Sequence, residues 1–287
     1  MPFESGRLGR ALLSWLVIVL AGCALPAWAA EKTRLQVDDY QIEAELTPHI
    51  HRISARAVVK FTALEDIDAA SFELNNDLRV TKVVDASGKP LSPERIEQES
   101  TIRVQLPTQL AKGQSTTLTF VYDGSLQNAD NSPVQGLKLA SIGDDTSYLL
   151  YAARWFPVNA YGINRFTATM KITVPAHMVV IGSGNETVSE TSGGKSNEGL
   201  PTKTFTFVWD KPSFPGTIVA GTFQEFKTNE AGVDLHLFFK PIHQNLGTMY
   251  AETAVKEFTY FVTVFGPTLS STLRVVEIPD DTVPAAC

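Results

Sequence analysis

Five histidines, His49, His51, His177, His236 and His243, are the side chains of this 287-residue sequence best suited to hold a metal or move a proton near neutral pH. None is followed by glutamate, so the HExxH pattern, which sets two imidazoles and a general base on one helix face, does not occur. His49 and His51 are two apart, the spacing that shares one face of a strand. No cysteine and no nearby third donor completes a zinc set with them, so an exposed strand or loop start is expected there. Ser183 lies in Ile181-Gly182-Ser183-Gly184-Asn185, which lacks the leading glycine of a nucleophile elbow and reads as a turn between strands. No glycine-rich loop opens a helix, which removes the usual phosphate cradle. The carboxylate pairs Asp144-Asp145 and Asp280-Asp281 sit in turn-like sequence and read as solvated loops. Asn185-Glu186-Thr187 fits the glycosylation pattern, but the leader described next gives it no role. The residues alone therefore assign no catalytic group, no metal ligand and no substrate-binding side chain.

Composition narrows the classes further. With 24 Lys+Arg against 31 Asp+Glu the chain carries a net charge of −7, which argues against a nucleic-acid partner. A hydrophobic fraction of 44% is that of a globular protein. Two cysteines, Cys23 and Cys287, cannot build a disulfide scaffold. Arg7 and Arg10 precede the apolar run Ala11–Ala21, which is too short to span a bilayer comfortably and suits the core of a secretory signal. Leu20-Ala21-Gly22-Cys23 then matches a bacterial lipobox, which makes Cys23 the candidate for lipidation and a membrane anchor. Ala27-Trp28-Ala29 offers ordinary signal cleavage instead. Both alternatives export the chain, to the periplasm or outer surface.

From Leu35 onward the elements that must position any site are strands. Phe72 and Leu74, then Ile102, Val104 and Leu106, then Leu118, Phe120 and Tyr122 alternate with polar neighbours, the period of a half-buried strand. Gly88-Lys89-Pro90, Gly113, Asp123-Gly124 and Gly193-Gly194 mark turns between them. Further strands are expected over Phe166–Val174, Val179–Gly182, Thr204–Trp209, Thr217–Phe226, Asp234–Phe239 and Leu273–Ile278, with loops over 123–146 and 189–201. Ala251, Ala254, Val255, Phe258, Phe261, Val262 and Phe265 recur at three- and four-residue steps and predict a helix over Thr248–Phe265, stopped by Gly266-Pro267. Regular strands without intervening helices predict a mainly β fold, an antiparallel sandwich followed by a short α/β fragment.

Several segments together resemble the N-terminal part of the zinc aminopeptidases of the aminopeptidase N and leukotriene hydrolase family. Tyr40–Leu46 (YQIEAEL) is similar to the family's opening strand, and Ala153-Arg154-Trp155-Phe156-Pro157 to its ARxxFP motif. Phe166–Pro175 (FTATMKITVP), Ile181–Asn185 (IGSGN) and Phe214–Phe226 (FPGTIVAGTFQEF) follow in the family's order. Lys256–Pro267 and Leu273–Asp280 (LRVVEIPD) resemble the helix, turn and strand that open the catalytic domain. The resemblance runs from about residue 38 to 287.

It implies a signal segment at 1–30, a saddle-like β domain at 31–226 and an incomplete start of a thermolysin-like domain at 227–287. In a complete parent, zinc held by HExxH and a distant glutamate would remove N-terminal residues from peptides, with a GxMEN strand anchoring the substrate. Here Asp281–Cys287 (DTVPAAC) stands where GxMEN would follow, and Ser147–Leu150 (SYLL) where the family carries an amine-binding Gln-x-Glu. The expectation is thus an exported β portion that is inactive by itself, with zinc and peptide substrate belonging to the complete parent and the catalytic domain as its partner. The alternative is a stand-alone cell-surface β-sandwich that binds peptide or glycan without catalysis.

Overall fold

The structure, a computed structural model, describes residues 33–127, 132–134, 136–189, 201–230, 232–268, 270 and 272–279. Lipidation at Cys23, the two cleavage signals, Gly193-Gly194, Asp280-Asp281 and Cys287 lie outside them. In chain order the strands begin with β1 (Leu35–Thr47), β2 (Arg52–Ala63), β3 (Ile67–Glu73), β4 (Leu78–Val84), β5 (Pro90–Leu91) and β6 (Pro93–Ile96). Next come β7 (Thr101–Leu110), β8 (Ser115–Ser125), β9 (Ala140–Ser141), β10 (Thr146–Leu149), β11 (Phe166–Pro175) and β12 (Val179–Gly182). The last are β13 (Asn185–Ser189), β14 (Thr202–Ser213), β15 (Ile218–Gly221), β16 (Gln224–Glu230), β17 (Val233–Phe239) and β18 (Thr272–Val276), with helix α1 at Gly247–Phe265 before β18.

An eight-stranded sheet in the order β13-β14-β11-β1-β2-β8-β4-β5 forms one layer. It shares one hydrophobic core with a four-stranded sheet, β12-β15-β10-β9, and a three-stranded sheet, β3-β7-β6. Alternation explains which face is buried. Along β1, Tyr40, Ile42, Ala44 and Leu46 point inward, and a bulge between Val37 and Asp39 shifts the phase so that Leu35 and Val37 are buried as well. Phe72 of β3 closes the layers together, meeting Phe61 and Phe120 edge-on at 5.8 and 5.3 Å between ring centroids.

The mainly β class stands, with two departures from strict antiparallel pairing. β1 runs parallel to β11, and β17 parallel to β18. The stretch expected as one strand over Thr217–Phe226 divides into two. β15 ends at Gly221, where a side chain would press on the Phe223 ring and the Asp145 carbonyl, and β16 starts a different sheet. The segment 123–146 is not all loop, because Leu126, Leu139 and Ile142 are buried and β9 lies within it.

β16 runs through position 226. It forms a three-stranded sheet with β17 and β18, on which α1 packs. This second core consists of Leu235, Leu237, Phe239 and Ala251, flanked by Phe226, Leu246, Ala254, Val255, Leu273 and Val275. Among the described residues, the apolar stripe of α1 joins this core through its N-terminal half, Ala251, Ala254 and Val255. Phe261 and Phe265, further along, stay 53% and 77% exposed.

Candidate functional site

The segment Arg154-Trp155-Phe156-Pro157 follows a 3-10 turn, Tyr151–Ala153, and Arg154 takes a left-handed conformation at φ 51° that redirects the chain. Its guanidinium Nε lies 2.5 Å from Glu73 Oε2 and the group sits 4.9 Å over the Tyr161 ring. Glu73 Oε1 also accepts from the Tyr161 backbone N–H, and the Glu73 and Val158 backbones exchange hydrogen bonds. Trp155, fully buried, donates its indole N–H to the Gly216 carbonyl at 2.6 Å. Gly216 has φ 138°, and a Cβ there would come within 2.8 Å of the Phe156 ring, so the backbone approach requires glycine. Phe156 in turn meets Tyr40 and Trp155 edge-on. Burial raises the Tyr151 phenol well above its ordinary value, with Tyr161 and Glu73 adding to the effect. The motif ties β1, β3 and the approach to β15 together. Its one cation is engaged by a carboxylate, and it presents no nucleophile.

Other sequence candidates are dispersed. His49 is exposed in the Pro48–Ile50 turn, whereas His51 has φ 57° and donates Nδ1–H to the Ile142 carbonyl at 2.6 Å. Among the described residues no group of three or more histidine, cysteine, aspartate or glutamate side chains is placed to hold a metal ion. Ser147 to Leu149 are buried in β10, and the Ser147 hydroxyl is satisfied by the Gly143 backbone in both directions. Asp144 and Asp145 lie in a bend outside the strands.

A grooved face lies between the β12–β14 edge of the large core and the β16–β18 sheet. One cavity of about 480 Å³ is walled by Val179, Val188, Phe205, Phe223 and Phe238, with Glu186, Lys203, Glu225, Lys227 and His236 among its polar lining. A neighbouring cavity of about 470 Å³ carries Ser183, Trp209, Asp210, Lys211, Ser270 and Thr272. Ile181 and Arg274 line both. Ser183, singled out in the sequence, therefore lines a cavity wall just beyond β12.

The hairpin β16–β17 sets the charges in this groove, since Lys227 stands opposite His236 in register. His236 Nδ1 is 2.8 Å from Glu225 Oε1, its Nε2 is 3.2 Å from Asp234 Oδ2, and Lys227 Nζ is 3.1 Å from Glu225 Oε2. Burial would raise the Glu225 carboxyl, but the hydrogen bonds from His236 and Lys227 outweigh it and hold the group below its usual value. Glu186 moves the other way, raised chiefly by burial against the pull of Arg274. Both ring nitrogens of His236 are occupied by carboxylates, so this cluster does not fit a zinc ion. Sequence reasoning passed over it. The available signal was the two-residue step in Glu225-x-Lys227 and Asp234-x-His236, which puts all four on one face of a hairpin.

No protein-family model matches the sequence, and none of the curated proteins does. Solved structures do. An M1 zinc metallopeptidase from Deinococcus radiodurans superposes with a TM-score of 0.64 at 18% identity, over 86% of this chain and 57% of that one. A two-domain M1 zinc metallopeptidase variant bound to L-tryptophan gives a TM-score of 0.65 at 18% identity, over 86% and 58%. Another, bound to L-arginine, gives 0.64 at 18% over 85% and 57%. The chain thus spans a little over half the length of these enzymes. Its fold is that of the N-terminal part of M1 zinc metallopeptidases, the aminopeptidase N type.

Proposed function

We propose that the chain is the non-catalytic β portion of an exported aminopeptidase-type metallopeptidase whose complete form removes N-terminal residues from peptides. The observation that carries the reading is the order of parts: a β-sandwich, then a small sheet with one helix, overlaid on the two-domain enzymes across most of this chain. The partly buried Arg154–Glu73 pair and the buried Trp155–Gly216 bond give this portion a scaffolding role, tying β1, β3 and the approach to β15 together. Zinc, the metal of the similar metallopeptidases, would in a complete form supply a polarised water and carbonyl. The residues described here do not fit it, so no step of hydrolysis is assigned to them. Export and a lipid anchor at Cys23 belong to the same proposal and rest on the leader sequence.

The test uses the purified chain. After dialysis it should retain far less than one zinc per molecule and release no product from aminoacyl anilides. Stoichiometric zinc, or zinc-dependent turnover lost on changing His236, overturns the scaffolding role. Separately, labelled palmitate should enter the wild-type chain but not Cys23→Ala. Cleavage after Ala29 without label removes the anchor and leaves export standing.

A further inference from the structure

Arg274 lines both cavities of the groove from β18. It is half-buried, and among the described residues its guanidinium makes no hydrogen bond and no close ion pair, although Glu186 feels its charge. A planar five-donor fork in that setting is suited to bidentate capture of a carboxylate. The surrounding charge agrees. Of the charged side chains that line the groove, Glu186, Asp210 and Glu225 are the carboxylates, so Arg274 does not face a surplus of negative charge. Glu225 is moreover engaged by His236 and Lys227.

The walls specify the rest of the ligand. Val179, Val188, Phe205, Phe223 and Phe238 offer an apolar recess beside Arg274, of a volume usual for small-ligand sites. β12, β13 and β16, which contribute to that recess, are each the last strand of their sheet, so each has one backbone edge not paired within it. An extended peptide can use such an edge for main-chain hydrogen bonds. We propose that the groove binds the C-terminal end of a peptide, its carboxylate on Arg274 and an apolar last side chain in the recess. The site does not depend on the peptidase-related reading, since it uses neither zinc nor a free amino terminus.

Binding of an N-acetylated tetrapeptide ending in phenylalanine is measured on the full chain by calorimetry, as free acid and as C-terminal amide. The acid should bind about tenfold more tightly, the scale of one charge-assisted hydrogen-bonded contact. Arg274→Gln should abolish that preference, Arg274→Lys should retain part of it, and Phe223→Ser should weaken both forms alike. Equal affinity for acid and amide, or no binding of either at millimolar concentration, overturns the proposal, and this comparison on wild type stands even where a variant fails to fold. Decanoate competing as well as the peptide would overturn the peptide assignment. Zinc content and anilide turnover are unaffected by any of these outcomes, so the two proposals fail separately.

Discussion

At the scale of single residues, the fold depends on polar groups whose partners are specific. Trp155→Phe keeps an aromatic ring but a smaller one, and leaves the Gly216 carbonyl buried without its donor. It should cost about 1–3 kcal/mol in urea unfolding, and a loss below a few tenths would show that the carbonyl finds another partner. Glu186→Gln tests the groove's electrostatics by pH. Because partial desolvation at the groove wall raises the folded value of this largely exposed carboxyl, its contribution is favourable while it is protonated and is lost as pH rises through that value. The amide should therefore melt higher than wild type near neutrality, by about 1 °C for a group this exposed. The gap should close below the ordinary value of 4.5. A gap that persists in acid, or one of opposite sign, would show that burial is not the cause.

The elements show what could be read from the chain and what could not. Strand alternation marks the buried faces, and the stripe over Thr248–Phe265 places α1 to within one residue of its start. Local periodicity reports which face is apolar, but it carries no information on distant neighbours. The parallel pairing of β1 with β11, where Glu43 meets Lys171 across 128 residues, was not legible for that reason. The His236 clamp escaped for a related one, since it exists only once β16 and β17 pair. The motif of Arg154 to Pro157 was legible as a family signature, whereas its partners Glu73 and Gly216 come from other strands. α1 itself yields a prediction. Phe261 and Phe265 stack on one another at 6.0 Å yet remain exposed, so Phe261→Gln with Phe265→Gln should leave stability within about 0.5 kcal/mol. The same double change should reduce self-association in sedimentation velocity. A large loss of stability would mean the two rings are packed within this chain.

For the molecule as a whole, the two hydrophobic cores are unequal. Among the described residues the sandwich core, which Phe72, Tyr40 and Phe156 help to knit, joins 45 buried side chains, against four in the second core, Leu235, Leu237, Phe239 and Ala251. Amides of β17 should consequently exchange with deuterium faster than those of β1, β2 and β11, and proteases should first cut the exposed turn Pro241–Leu246. Equal protection across both cores would mean that they open as one unit. The central parallel pair has a further consequence, in time and not in space. β1 leaves the ribosome well before its neighbour on one side, β11, which ends only at Pro175. Until then a long, half-apolar strand edge has only β2 beside it and is free to pair with another nascent chain. Long-range pairing of this kind folds slowly, so a ribosome stalled before residue 166 would hold a chain primed to aggregate, and the yield of soluble protein should follow how quickly that stretch is translated.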